Sequence, residues 1–291
     1  MARASFTKNL CWALATSLLC AGACESVAPT VKTPPPALPK EKPPAPPVLP
    51  PEAPEPAPSG LSKIGALEYL EFTTAGADAD SSLPMLVAIH GLGDDPKNFA
   101  NVFRGISVPA RVIVPRAIDP YEVGWSWFPL RARDPDVESL AKGMMIAADL
   151  IATSVEALAA QRPTVGKPIV TGFSQGGMLS FTLAAKHGHL FGGAVPISGW
   201  LPPPLWPADA AAKTVPPIVA LHGTEDPALK YPKTVACIDA LSKRGVNATL
   251  LTYPGVAHVV TPEMRDEVYR RVDAALMKES SPSKASRPEV R

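Results

Sequence analysis

Apolar residues follow two rhythms along this chain. Short unbroken runs occur at "ALEYLEF" (66–72), "MLVAIH" (85–90), "RVIVP" (111–115), "PIVTGF" (168–173), "GAVPIS" (193–198), "PIVALH" (217–222) and "ATLLTY" (248–253). Between them lie longer segments in which apolar positions recur every three or four residues. Over 137–161 these are Leu140, Met144, Ala147, Ile151, Val155 and Leu158, one face of an amphipathic helix. In 230–245, Val235, Ile238 and Leu241 share a face, and Lys243, Arg244 and Gly245 supply end signals. In 262–277, Met264, Val268, Val272 and Leu276 follow Thr261-Pro262-Glu263, where Thr caps and Pro fits the first turn. Continuous apolar strands alternating with helices predict an α/β fold, a mostly parallel central sheet sandwiched by helices. No internal repeat is visible.

That rhythm starts only near residue 61. Residues 29–60 are dominated by proline, without an aromatic residue or an apolar period, and cannot bury a core. They read as an extended tether of about 3.1 Å per residue, on the order of 100 Å at full stretch. Before it, Arg3 and Lys8 precede an apolar run that ends in small residues, the pattern of an export signal over 1–23. Ala21-Gly22-Ala23 before Cys24 resembles a bacterial lipobox with Ala in the usual Leu position. Lipidation of Cys24 and attachment to a membrane are therefore expected, with Glu25 favouring an outer-membrane or cell-surface destination. The organisation expected is signal 1–23, tether 24–60, catalytic domain 61–279 and a disordered tail 280–291. Of the four cysteines only Cys237 falls in the foldable part, so that domain has no internal disulfide. A formal charge of +1 gives no electrostatic case for a nucleic acid partner.

Candidate chemistry centres on "GFSQGG" (172–177), where a strand ends and a helical spacing begins. Gly-x-Ser-x-Gly at such a junction fits a nucleophile elbow, in which a sharp turn lifts the hydroxyl above the sheet. Gly172 and Gly176 leave room for neighbouring backbone, Gly177 adds more, and the spacing closes the helix at Gly188. The glycines are not followed by the Lys of a phosphate-binding loop. Ser174 then needs a base and an orienting acid, in the order Ser, acid, His. Of five histidines, His187 and His189 read as solvated, and His90 and His222, each closing a strand, as structural. His258, in a loop after the last strand, is the base. Asp226, just past a buried strand, is the acid, with Glu225 as alternative. Oxyanion donors are the Gln175 N–H and one from "HGLGD" (90–94), Leu92 ahead of Gly91.

With "HGLGD", "WSWF" (125–128), "GFSQGG", "PISGWLP" (196–202), "HGTEDP" (222–227) and "YPGVAH" (253–258) in order, the domain resembles the phospholipase/carboxylesterase family of the α/β-hydrolase fold, which includes acyl-protein thioesterases. The resemblance implies a Ser174-Asp226-His258 triad, Leu92 and Gln175 at the oxyanion, an open site, and neither metal nor cofactor. Pro129 stands where many members carry Asp, which bears on substrate preference. The function expected is an exported, lipid-anchored serine hydrolase of small acyl esters or thioesters. Alternatives are a serine peptidase of the same fold and a catalytically silent binding lipoprotein.

Overall fold

A computed structural model describes residues 60–129 and 135–281. The leader, Cys24, the tether up to residue 59 and the tail from 282 lie outside the described residues. The elements in chain order are β1 (Ser62–Ile64), β2 (Leu67–Thr73), β3 (Met85–Ile89), α1 (Pro96–Ala100), β4 (Arg111–Pro115), β5 (Asp119–Tyr121), β6 (Gly124–Ser126), α2 (Val137–Gln161), β7 (Ile169–Phe173), α3 (Gln175–Lys186), β8 (Gly193–Ile197), α4 (Asp209–Ala212), β9 (Ile218–Gly223), α5 (Tyr231–Lys243), β10 (Ala248–Tyr253) and α6 (Pro262–Ser280). Eight strands form one sheet in the order β1-β2-β4-β3-β7-β8-β9-β10. From β4 through β10 every pairing is parallel; β1 and β2 add an antiparallel margin.

Alternation along each strand divides the core in two. On β3, Met85, Val87 and Ile89 join the layer built with α2, α3 and α5, whereas Leu86 and Ala88 join the layer built with α1 and α6. A strand covered on both faces has no polar side, which is why these segments read as unbroken apolar runs. The helix expected over 137–161 is α2, and the face named from its spacing is buried. Thr261 caps α6 by accepting from Met264 N at 3.2 Å. Helix α5 ends at Lys243, and Gly245 takes φ +83 just beyond it, as its end signals imply.

Three expectations change. The single run at 66–72 is the second strand of a hairpin with β1, because Gly65 at φ +57 turns the chain. Helix α3 is capped by His187, not closed by Gly188. A Cβ at Gly188 would lie 2.5 Å from Thr214 O, so its glycine serves close packing. His187 is not simply solvated: its Nε2 bonds Asp149 Oδ1 at 2.8 Å, tying the end of α3 to α2. The polar hairpin β5–β6 has no apolar run to announce it.

Candidate active site

Strand β7 is flanked by β3 and β8 near the middle of the sheet, and Ser174 follows its last residue. The chain reverses so sharply there that Ser174 adopts φ 57, ψ −115, a conformation that costs a non-glycine residue about 1–3 kcal/mol. Packing holds it in place. A Cβ on Gly176 would sit 1.9 Å from Ile89 O, one on Gly172 2.6 Å from Gly176 O, and one on Gly177 2.3 Å from Ile197 O. The elbow is thus wedged between the ends of β3 and β8, and only glycine permits it. Ser174 N–H donates to Ile197 O at 3.1 Å, securing the turn from the β8 side.

The histidine and the acid arrive from the other half of the sheet. Asp226 follows β9 and His258 follows β10, and their two loops are zipped together. Thr224 N donates to Tyr253 O, Glu225 N to Val256 O, and Gly255 N to Thr224 Oγ1, all at 2.9–3.0 Å. The result is a continuous chain of hydrogen bonds: Asp226 Oδ2 accepts from His258 Nδ1 at 2.6 Å, and His258 Nε2 lies 2.9 Å from Ser174 Oγ. A proton on Nδ1 leaves Nε2 as acceptor for the serine hydroxyl. The Phe173 ring lies 4.7 Å from the imidazole and limits its tilt. Glu225 is exposed, whereas Asp226 is buried.

Burial pushes the Asp226 carboxyl up, but hydrogen bonds from His222, His258 and Leu229 N–H outweigh it and hold it well below the usual range. Its Oδ1 takes Ala228 N at 2.9 Å and Leu229 N at 2.8 Å. The group is therefore an anion whose Oδ2 faces two imidazoles, His258 at 2.6 Å and His222 at 3.4 Å.

Gln175 follows the serine directly, and the loop that carries Leu92 reaches the serine at Gly91. The loop after β3 passes directly over it, for a Cβ on Gly91 would lie 3.3 Å from Ser174 Cβ. Gln175 opens α3, so its N–H has no carbonyl one turn back to bond, and the helix N-terminus favours negative charge there. His90 anchors the loop: Nδ1–H donates to Gly91 O at 2.7 Å and Nε2 accepts from Ala117 N at 3.2 Å. Burial lowers its pKa, which keeps the ring neutral and suited to both bonds.

Two features escaped the sequence reading. The Gln175 side chain spans the site, its Oε1 accepting from Trp127 N and its Nε2 donating to Phe128 O, both at 3.0 Å. The β5–β6 hairpin is laced to the oxyanion loop through Gly93 N to Trp125 O and Trp125 N to Asp94 O. A Cβ on Gly124 would lie 2.3 Å from Gly93 O, and that glycine was the available signal. Trp127 and Phe128 are core residues, and Trp127 Nε1 donates to His90 O at 3.0 Å.

A serine on a glycine-wedged turn after a central parallel strand, reached by a histidine from the sheet's far edge, is the arrangement of an α/β-hydrolase esterase. The family model for Phospholipase/Carboxylesterase matches residues 74–275, and the chain belongs to that family. Acyl-protein thioesterase 1 of Gibberella zeae is 26% identical over 205 residues, 63% of this chain and 86% of that protein. Acyl-protein thioesterase 1 of Neurospora crassa is also 26% identical, over 208 residues, 63% of this chain and 83% of that protein. Among solved structures, Zea mays acyl-protein thioesterase 2 is 25% identical with TM-score 0.55, covering 72% of this chain and 98% of that one. Esterase PE8 shares the fold with TM-score 0.63 at 20% identity, over 72% and 99% of the two chains. The protein is a hydrolase of the esterase and thioesterase class.

Proposed function

We propose that the protein hydrolyses small carboxylic esters or thioesters by acyl transfer through Ser174, with His258 as general base and Asp226 as its orienting acid. The observation that carries this reading is the unbroken hydrogen-bond chain from Asp226 through His258 to the strained serine. Ser174 Oγ attacks the acyl carbon while His258 Nε2 takes its proton. The negative charge that forms on the carbonyl oxygen is met by the Leu92 and Gln175 N–H groups, each typically contributing a few kcal/mol. Collapse breaks the bond to the alcohol or thiol, and His258 gives that leaving group its proton. Water, activated by the same imidazole, then releases the acid from the acyl-enzyme. Asp226 keeps the proton on Nδ1 throughout and stabilises the imidazolium.

The reading includes export and a lipid anchor at Cys24, supported by the basic start, apolar run and small residues before that cysteine. A proline-rich tether would then hold the domain away from the membrane surface, where small acyl esters diffuse to it.

A fluorophosphonate probe tests the chemistry. The folded wild type should be labelled and should turn over p-nitrophenyl acetate, and Ser174→Ala should do neither. Turnover retained by the alanine variant would overturn the assignment, and activity confined to aminoacyl p-nitroanilides would move the protein to the peptidases.

A further inference from the structure

Asp226 faces a second imidazole. His222, the penultimate residue of β9, is fully buried, and its Nε2 lies 2.9 Å from Leu229 O and 3.4 Å from Asp226 Oδ2. Both neighbours are acceptors, so Nε2 carries the ring proton. On the other side Nδ1 lies 2.9 Å from the Thr234 hydroxyl, which is 2.8 Å from Gly199 O. One hydroxyl proton serves one of these two acceptors. With Nε2 protonated, Nδ1 is a bare acceptor and the hydroxyl can donate to it. The Tyr231 ring, 6.0 Å away and edge-on, helps to confine the imidazole.

This arrangement supplies what the other contacts of the acid lack. The bonds to Oδ1 come from Ala228 and Leu229, in the same turn as Asp226, so they fold the loop on itself without tying it to the sheet. His258 sits on a neighbouring loop. Among the described contacts of the carboxylate, only His222, whose Nε2–H is shared between Leu229 O at 2.9 Å and Asp226 Oδ2 at 3.4 Å, belongs to a strand, and through Thr234 it is joined to α5 and to Gly199 beyond β8. The titratable groups facing the pair are His258 from the β10–α6 loop and Tyr231 from α5.

We propose that His222 is a positioning residue for the hydrolytic reaction: its Nε2–H, locked by Thr234, fixes the Asp226 carboxylate so that Oδ2 presents to His258. The inference rests on the catalytic reading of Ser174, His258 and Asp226. A carboxylate free to rotate would deliver the imidazole to the serine in the wrong orientation, and reaction rates fall steeply with such misplacement.

Two replacements at 222 separate positioning from packing. His222→Phe keeps a ring and removes both nitrogens; His222→Gln keeps an N–H close to the Nε2 position. In the full chain, with p-nitrophenyl acetate, His222→Phe should lower kcat by about tenfold to a hundredfold at unchanged KM. Its acid limb of kcat/KM, which reports protonation of the base, should move to higher pH, because a carboxylate relieved of one donor holds the imidazolium of His258 more tightly. His222→Gln should recover most of the rate and return the limb. Thr234→Val should slow the wild type but add nothing to His222→Phe, the signature of action through one group. Wild-type kcat and acid limb in His222→Phe would overturn the proposal, as would a loss that Gln leaves uncorrected. If the Phe variant does not fold, Thr234→Val decides: an unchanged rate and limb there sink the idea. Ser174→Ala run in parallel keeps the two readings apart. Retained turnover in it removes the triad itself, whereas abolished turnover beside an unaffected His222→Phe removes only the role of His222.

Discussion

Asp226→Asn takes one charge and one acceptor from a side chain surrounded by donors. Oδ1 faces two backbone N–H groups at 2.8–2.9 Å, and Oδ2 faces His258 Nδ1 at 2.6 Å and His222 Nε2 at 3.4 Å. An amide has one oxygen and one NH2, so either orientation sets donors against donors. Backbone amides cannot shed their protons, whereas His258 can move its own from Nδ1 to Nε2, so the NH2 will face the histidines. Nε2–H then points at Ser174 Oγ and can no longer accept from it. The same replacement in a Ser-His-Asp triad on another fold costs about 10⁴ in kcat, or about 5 kcal/mol of barrier. The mismatched donors left at His222 should cost about 1–3 kcal/mol of stability. Steady-state hydrolysis of p-nitrophenyl acetate measures the first quantity and urea unfolding the second. The wild type also carries a pH dependence that the variant loses. The native Asp226 pKa lies below its unfolded value of about 3.9, so the carboxylate's stabilisation is complete above that pH and declines as acid drives the pH toward the native value. An Asp226→Asn enzyme within tenfold of wild-type kcat would refute the reasoning, for it would mean that the short contact does not govern the imidazole tautomer.

Other consequences can be checked alongside. Gly176→Ala puts a Cβ 1.9 Å from Ile89 O and should cost about 3 kcal/mol or prevent folding; Gly255→Ala, at φ +72 in open space, should cost about 1 kcal/mol in the same urea titration. Gln175→Leu keeps the backbone N–H proposed to meet the oxyanion but strands Trp127 N, while Phe128 O keeps its bond from Ser126 Oγ, so it should lose about 1–3 kcal/mol of stability while kcat stays within about tenfold. Cys24→Ser should move the protein from membrane to soluble fractions, and continued membrane association would exclude the lipid anchor.

The sequence displays the strands because burial on both faces leaves no polar position in them, and it displays helices α2 and α6 because their apolar stripes and caps are intact. It displays Ser174 because steric necessity writes three glycines around it, and His258 because few histidines compete. The rest depends on contacts that sequence does not encode locally. β1 is three residues long, and β5–β6 is a polar pairing that exists to brace the Leu92 loop through backbone bonds. Gln175 offered a backbone reason for its place; that its side chain reaches back to residues 127 and 128 follows from folding alone. His222 was read as a structural histidine, correctly as to its burial, yet its spacing of four from Asp226 was the visible hint of a further contact.

Ser174, the proposed nucleophile, follows a middle strand of the sheet, and His258, the proposed base, follows its rim strand, β10. Outer strands yield to heat before inner ones. Warming would therefore let the imidazole drift away while the hydroxyl stays lodged among its glycines. In such a molecule silencing and melting are separate events, in that order, and an early loss of turnover would be recovered on cooling.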